Sequence, residues 1–370
     1  MPQSFTIDGA PLELLGVDEL ALIHSNYEPM DTWLLDKLFP RRKSFTTNVV
    51  PIAELETESD IAPLVAPQVP GKPFDRTTAI QVSHVQPAYL KPKNQVTPAT
   101  AWDTALLARL RDAGIISTGN NQLSTAEQYM IAQIETTKRN HDSIDNRKIL
   151  MAAELVTTGQ IVLESDDYTK NVVSFGRESS LAFTPTNAWD QAGATPVEDI
   201  ETMAQRMLDE NGGEATMILT TGKVWASLEK NAAFKAKFVE PYAGISVPYR
   251  PGLNASRSAK FKGYLGDIEI WTYDATYRHK GQVKRFIPVD YFALISDTNG
   301  YVTQCKIENI HANGLALEYF DRQWYEEDPS GILLMTESAP LVVPSNKNGV
   351  CCGTGFIYPG FCRFWFLHSG

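Results

Sequence analysis

Few residues in this chain stand at spacings that chemistry requires. Thr221-Gly222-Lys223 follows an apolar stretch as a phosphate-binding loop would. The first glycine of that pattern is missing, however, and Val224 stands where a metal-binding Ser or Thr belongs, so a tight strand-to-helix turn is the better reading. The histidines at 24, 84, 141, 279, 311 and 368 are far apart, and no two share ligand spacing on one element. Asp321, Glu326, Glu327 and Asp328 form an acidic cluster that reads as a solvated loop. Asp142 and Asp145 read as the wet side of a helix, and Asp166-Asp167 as a turn. Asn254-Ala255-Ser256 matches a glycosylation acceptor, which carries meaning only in a secreted chain. There is no nucleophile elbow, no H-E-x-x-H and no G-x-G-x-x-G. The expectation is no catalytic residues, no cofactor and no metal.

Composition narrows the class of protein. The chain has 370 residues, 43% apolar and 21% charged, which is ordinary for a globular protein. Asp plus Glu is 44 against 33 Lys plus Arg, a net charge of −11. That balance argues against a dedicated nucleic-acid binder, which needs a basic surface. Four cysteines occur, three of them at 351, 352 and 362, and no His stands at zinc spacing from them. They read as reduced thiols. The N-terminus shows no secretory pattern. Val350–Leu367 is apolar but contains glycines, Pro359 and Arg363, and is shorter than the ~20 residues a membrane helix needs; it reads as a loose or strand-like tail.

The elements are extended. Leu12–Leu22 and Asp31–Phe39 are expected as two short helices of an arm. Thr46–Leu55 and Thr77–Val85 read as the strands of a long hairpin across a Pro-rich turn. Such a hairpin is marginal alone and should lie on its own domain or on another copy. Gln86–Pro98 is an extended segment with Lys91 and Lys93, and Trp102–Ala113 reads as a helix. Ser124-Thr125-Ala126-Glu127 is a capping box, and no Pro or Gly interrupts until Gly159. The resulting helix would be roughly 50 Å long. Met130, Ile134, Ile144, Met151 and Leu155 are expected on its buried face, with Thr137 and His141 in the middle of it. A hairpin is expected over Ile161–Phe175, then a capped helix from Thr195 to about Leu208 and a buried strand at Ala215–Thr220. Gly222–Lys230 reads as a helix. Ile268–Tyr273 and Arg285–Leu294 read as a strand pair, Val302–Ile310 and Ala316–Phe320 as strands, and Ile332–Val343 as a last apolar run. Elements that reach away from a compact centre imply self-association.

Several short stretches, in order, resemble the major capsid protein family of lambda-like tailed phages, the capsid-E family. They are Pro87-Ala88-Tyr89-Leu90-Lys91-Pro92-Lys93, Gly176-Arg177, Tyr264-Leu265-Gly266-Asp267-Ile268-Glu269-Ile270, Phe286-Ile287-Pro288, Asp328-Pro329 and Glu337-Ser338-Ala339-Pro340-Leu341. The resemblance covers roughly residues 40 to 343. It implies an α+β tailed-phage capsid fold, shared with encapsulins. The parts would be an N-terminal arm (1–44), an extended β-hairpin loop (45–98) and a peripheral domain (99–180) with a spine helix at 124–158. An α/β axial domain (181–299), a return to the peripheral domain (300–344) and an unmatched tail (345–370) would follow. Exposed Phe, Trp and Cys in that tail would promote aggregation unless covered. The implied function is a subunit forming pentamers and hexamers of an icosahedral head shell, which encloses double-stranded DNA without reading it. A decoration protein, scaffold and portal are implied partners, with assembly in the host cytoplasm and no membrane. An encapsulin-like shell around a cargo protein is the alternative. Arg76, Tyr89, Lys91 and Lys93 are the candidate inter-subunit contacts.

Overall fold

The computed structural model describes residues 5–7, 10–12, 30–57, 78–101, 125–165, 168–239, 256–296 and 298–358. Arg76, the helices expected at Leu12–Leu22 (beyond Leu12) and Trp102–Ala113, the hairpin tip and residues 359–370 lie outside them. In chain order the strands begin with β1 (Phe5–Ile7), β2 (Ala10–Leu12), β3 (Arg41–Phe45), β4 (Val50–Thr57), β5 (Thr78–Val85) and β6 (Lys93–Val96). Helix α1 (Trp33–Leu38) precedes β3, α2 (Pro98–Ala101) follows β6, and α3 (Thr125–Thr158) comes next. Then come β7 (Gln160–Ser165), β8 (Tyr168–Ser174), β9 (Ala182–Phe183), α4 (Pro196–Asp209), β10 (Met217–Thr220), α5 (Gly222–Leu228), α6 (Ala232–Lys237) and β11 (Phe238–Val239). The chain continues with β12 (Ala259–Leu265), β13 (Ile268–Tyr273), β14 (Thr276–His279), β15 (Gln282–Arg285), β16 (Phe292–Ile295) and β17 (Tyr301–Cys305). It closes with β18 (Phe320–Glu327), β19 (Ser330–Glu337), β20 (Pro340–Val343) and β21 (Val350–Gly353).

A seven-stranded mixed sheet in the order β11-β12-β13-β10-β16-β21-β9 forms the centre of one lobe. Strand alternation divides its side chains between two cores. Ile218, Phe292, Leu294 and Cys351 point to one side, beneath Met203 and Met207 of α4 and Val224 of α5. Met217, Leu219, Ala293, Ile295 and Cys352 point to the other, against Ala152, Leu155 and Val156 of α3. Ile268–Tyr273 and the apolar stretch ending at Leu294 are therefore not a strand pair. β10 lies between them, parallel to β13 and antiparallel to β16. The polar turn in between belongs to a separate hairpin, β14–β15. A crossover strand of this kind leaves no trace in local pattern.

Of the two readings of the C-terminal stretch, loose or strand-like, the second holds for its start. β21 is an interior strand of that sheet, antiparallel to β16 and parallel to β9. Phe356 is fully buried, and its ring packs against Phe292 at 5.4 Å and Trp189 at 4.4 Å. The aggregation concern thus does not apply to Cys351, Cys352 or Phe356. At Gly353 any side chain would collide with the Phe183 carbonyl, so the close approach of β9 demands glycine.

The long helix α3 starts and stops where the capping box and Gly159 place it. Gly159 takes φ +71°, the left-handed position that ends helices. The helix's last carbonyls, orphaned by geometry, are satisfied from afar. Arg177 donates to Leu155 O at 2.6 Å and Val156 O at 3.0 Å, Tyr291 donates to Val156 O at 3.1 Å, and Cys352 to Thr157 O at 3.2 Å. A cation at a helix C-terminus also meets the negative end of its dipole. This cap couples the spine helix to the seven-stranded sheet.

Further along, α3 packs across β6, β19 and β20. Met130 is exposed there, against expectation. Ile144, Met151 and Leu155 are buried as expected, with Thr137 and His141 among them, and the same face also carries Gln133, Thr136, Asn140 and Lys148. Two three-stranded sheets complete this lobe, β18-β19-β6 and β20-β17-β3. The second lies beside α1, whose start is fixed by Asp31: its carboxylate accepts from Trp33 N at 3.2 Å, Ser258 N at 2.9 Å and Ser256 Oγ at 2.7 Å.

Candidate assembly surfaces

The hairpin β4–β5 pairs from Val50↔Val85 to Thr57↔Thr78 and joins no other strand among the described residues. Its root is fastened along β19 and the residues after it. Leu90 and Ser338 exchange backbone hydrogen bonds at 2.8 and 3.0 Å, and Thr336 N donates to Pro92 O at 3.1 Å. Beside them lies Glu337, whose side chain has no solvent exposure. Its carboxylate accepts from the Tyr89 hydroxyl and from Asn309 Nδ2 at 2.7 Å, and lies 3.3 Å from Lys91 Nζ. Burial, together with Glu337, pushes the Tyr89 hydroxyl's pKa well above its ordinary value.

Three of the four candidate contact residues are therefore placed. Tyr89 and Lys91 converge on Glu337, while Lys93 lies over the Trp324 ring at 5.2 Å. Arg76 lies outside the described residues. Glu337, Asn309 and Trp324 are the partners that local sequence reading does not find. Glu337 does begin one of the quoted stretches, and that stretch packs directly on Pro87–Lys93.

The acidic residues resolve differently from their expected roles. Asp321 is not in a solvated loop: it lies on β18, buried against α3, where His141 Nε2 donates to it at 2.8 Å and Thr336 Oγ1 also donates. The Tyr319 ring stacks on His141 at 4.3 Å and 13°. Asp145 is likewise no solvated carboxylate. Together with Glu318 it holds the buried Lys148 ammonium, at 3.1 and 2.8 Å. The His141–Asp321 hydrogen bond ties α3 to β18, and the Lys148–Glu318 pair ties α3 to the segment leading into β18.

Nor does the Thr221-Gly222-Lys223 turn cradle phosphate. Gly222 N, at the start of α5, donates to Asp274 Oδ2 at 3.0 Å, so a carboxylate occupies the place an anion would take. Among the described residues no three His, Cys, Asp or Glu side chains are grouped to hold a metal, and no described helix is long and apolar enough to cross a membrane.

Several large apolar side chains face outward. Ile310 is 92% exposed, Val283 62%, Leu315 56% and Leu208 51%. Val283 lies on strand β15, Leu208 on helix α4, and Ile310 and Leu315 in and just after a short helical turn.

Comparison with known proteins gives these surfaces a context. The family model described as Phage major capsid protein E matches residues 16–354. A prophage-derived major head protein of Escherichia coli O6:H1 is 25% identical over 333 residues, covering 84% of this chain and 90% of that protein. The major capsid protein of Escherichia phage lambda is 24% identical over 323 residues, covering 85% and 91%. Among solved structures, a capsid protein of an Escherichia coli CFT073 prophage superposes with a TM-score of 0.67 at 19% identity, covering 93% of this chain and 99% of that one. A phage-related protein from Bordetella bronchiseptica RB50 reaches a TM-score of 0.50 at 9% identity, covering 91% and 96%.

Proposed function

Because the chain belongs to the phage major capsid protein E family, we propose a division of labour among its parts in the icosahedral head shell of a tailed phage. The chain is a structural capsid subunit of the lambda-like kind, not an enzyme. A compartment shell around a cargo protein is not favoured, because the sequence relatives are phage head proteins.

In this reading, residues 181–299 together with 350–358 form the axial domain that meets its copies around five-fold and six-fold centres. The peripheral domain comprises 99–180 and 300–344, with α3 as its spine, and 1–44 form an arm. The loop of residues 45–98 lies over the neighbouring subunit, guided by Arg76, Tyr89, Lys91 and Lys93. Assembly takes place in the host cytoplasm with a scaffold and portal, and a decoration protein docks on the finished shell. The DNA is enclosed without base contacts, in keeping with a net charge of −11.

The observation that carries this reading is the β4–β5 ladder, long, joined to no other described strand and fastened at its root. A two-stranded sheet of that kind gains stability from a surface beneath it. Deleting Ala62–Asp75 should leave a subunit with wild-type circular dichroism that forms no closed shells. Shells of normal size from that deletion would contradict the assignment of the loop.

A further inference from the structure

The hairpin β14–β15 is, like β4–β5, a two-stranded sheet joined to no other described strand. Directly opposed residues share a face. Arg278 opposes Val283 and Thr276 opposes Arg285 on one face, while Tyr277 opposes Lys284 on the other. Tyr277 turns toward the core, its ring 4.7 Å from that of Phe286. The face with Val283 therefore points outward, and Val283 is 62% exposed between Arg278 and Arg285. Lys280 and Gly281, at φ +48° and +79°, form the tip. Arg285 is tied to Asp274 at 2.9 Å, so the exposed aliphatic side chain stands beside Arg278 and the Lys280 tip, in a chain that is acidic overall.

Helix α4, in the same lobe, presents the complement. Glu198, Glu201, Gln205, Leu208 and Asp209 fall within an arc of about 120° by helical geometry, and all are exposed. Leu208 is 51% exposed among these carboxylates. Glu201 pairs with Lys237 at 2.7 Å, and Gln205 donates to Asp209 at 2.9 Å. Both surfaces stay exposed in the single chain, so neither covers the other within it.

We propose that hairpin β14–β15 of one copy docks on the outer face of α4 of the next copy around a capsomer ring. Val283 seats against Leu208, and Arg278 and Lys280 face Glu201 and Asp209. The contact is heterologous, joining two different patches, and repeated rotation closes it into a ring. It rests on the shell reading above and adds the residues that hold axial domains together. Complementary charge brings the two faces into register, and the aliphatic pair is removed from water.

The test uses two full-length variants. One reverses the hairpin (Arg278→Glu with Lys280→Glu) and the other reverses the helix (Glu201→Lys with Asp209→Lys). All four positions are exposed, and melting curves check that each variant folds. By sedimentation velocity at low salt, each variant alone should show at least a tenfold lower assembled fraction than the wild type. The chain with all four substitutions should assemble again. An equimolar mixture of the two variants should give six-membered but not five-membered rings, since only an even ring lets them alternate. Wild-type assembly by both single-patch variants, or failure of the folded four-substitution chain to assemble, would overturn the contact while leaving the shell reading intact. A wild-type chain that never forms rings would instead overturn the shell reading, and this contact with it.

Discussion

The carboxylate of Glu337 is fully buried, yet its charge is answered by Lys91, 3.3 Å away, whose side chain is 52% exposed. The pair sits where the chain leaving the β4–β5 hairpin crosses the end of β19. Tyr89 and Asn309 donate to the same carboxylate from inside. Lys91 thus reaches toward solvent while Tyr89 anchors the crossing, and the two substitutions should differ in cost. Tyr89→Phe removes a hydrogen bond to a buried charge and should lower stability by about 1.5–3 kcal/mol. Lys91→Ala loses a half-solvated partner and should cost less than about 1 kcal/mol. Urea denaturation of the unassembled subunit measures both, and a reversed order would contradict this account of the anchor.

His141 and Asp321 should behave as a unit. Their side chains are 4% and 6% exposed, so Asp321→Ala strands His141 and Thr336 without their acceptor. The expected loss is about 3–5 kcal/mol. A double-mutant cycle with His141→Ala should give a coupling above about 0.5 kcal/mol. Additive losses would mean that the seam does not bind α3 to β18.

Much of this architecture is legible in the chain, and the gaps have physical causes. The ends of α3 follow from the Ser124–Glu127 box and Gly159, because capping is local chemistry. Its buried face is legible at Ile144, Met151, Leu155, Thr137 and His141, but not at Asn140 and Lys148, whose partners Asn94 and Glu318 lie far away in the chain. Polar side chains look solvent-facing until such distant partners are known. For the same reason Asp321 reads as a wet loop: its partner stands 180 positions away. That β21 is strand-like is legible, but its interior place in the sheet is not, because Val-Cys-Cys-Gly is short and its neighbours come from far upstream. Of the proposed assembly contacts, Lys91 and Lys93 stand out through their charge, whereas Glu337, the buried partner of Tyr89 and Lys91 within the chain, shows only as the start of a family-like stretch.

The C-terminal stretch should be indispensable. Phe356→Ala removes a fully buried ring packed between Phe292 and Trp189, a loss of about 3–5 kcal/mol. A chain ended after Pro344 loses an interior strand and should be insoluble or unfolded. Cooperative thermal unfolding of that truncation, at the wild-type temperature, would contradict the topology.

Stability should decline on the alkaline side. Burial raises the pKa values of Tyr89, Tyr273, Tyr291 and Tyr319 above their ordinary 10.0, and pushes the Cys351 thiol from 9.0 up to about 12. The folded state then holds these protons more tightly than the unfolded one, so unfolding releases them and rising pH favours it. Their contribution is complete below about pH 8 and is lost as pH climbs toward the shifted values. Denaturant midpoints of the unassembled subunit should be level with respect to these groups up to about pH 8, then fall steadily toward pH 11. A midpoint unchanged through pH 11 would show that these groups are not buried as described.

The central claim is that this chain builds a closed shell from rings of itself. Negative-stain electron microscopy of the purified full-length protein, over a range of concentration and salt, tests it most directly. The account predicts rings of five and six subunits, together with partial or closed icosahedral particles at high concentration. A single small oligomer, unchanged across that range, would contradict it.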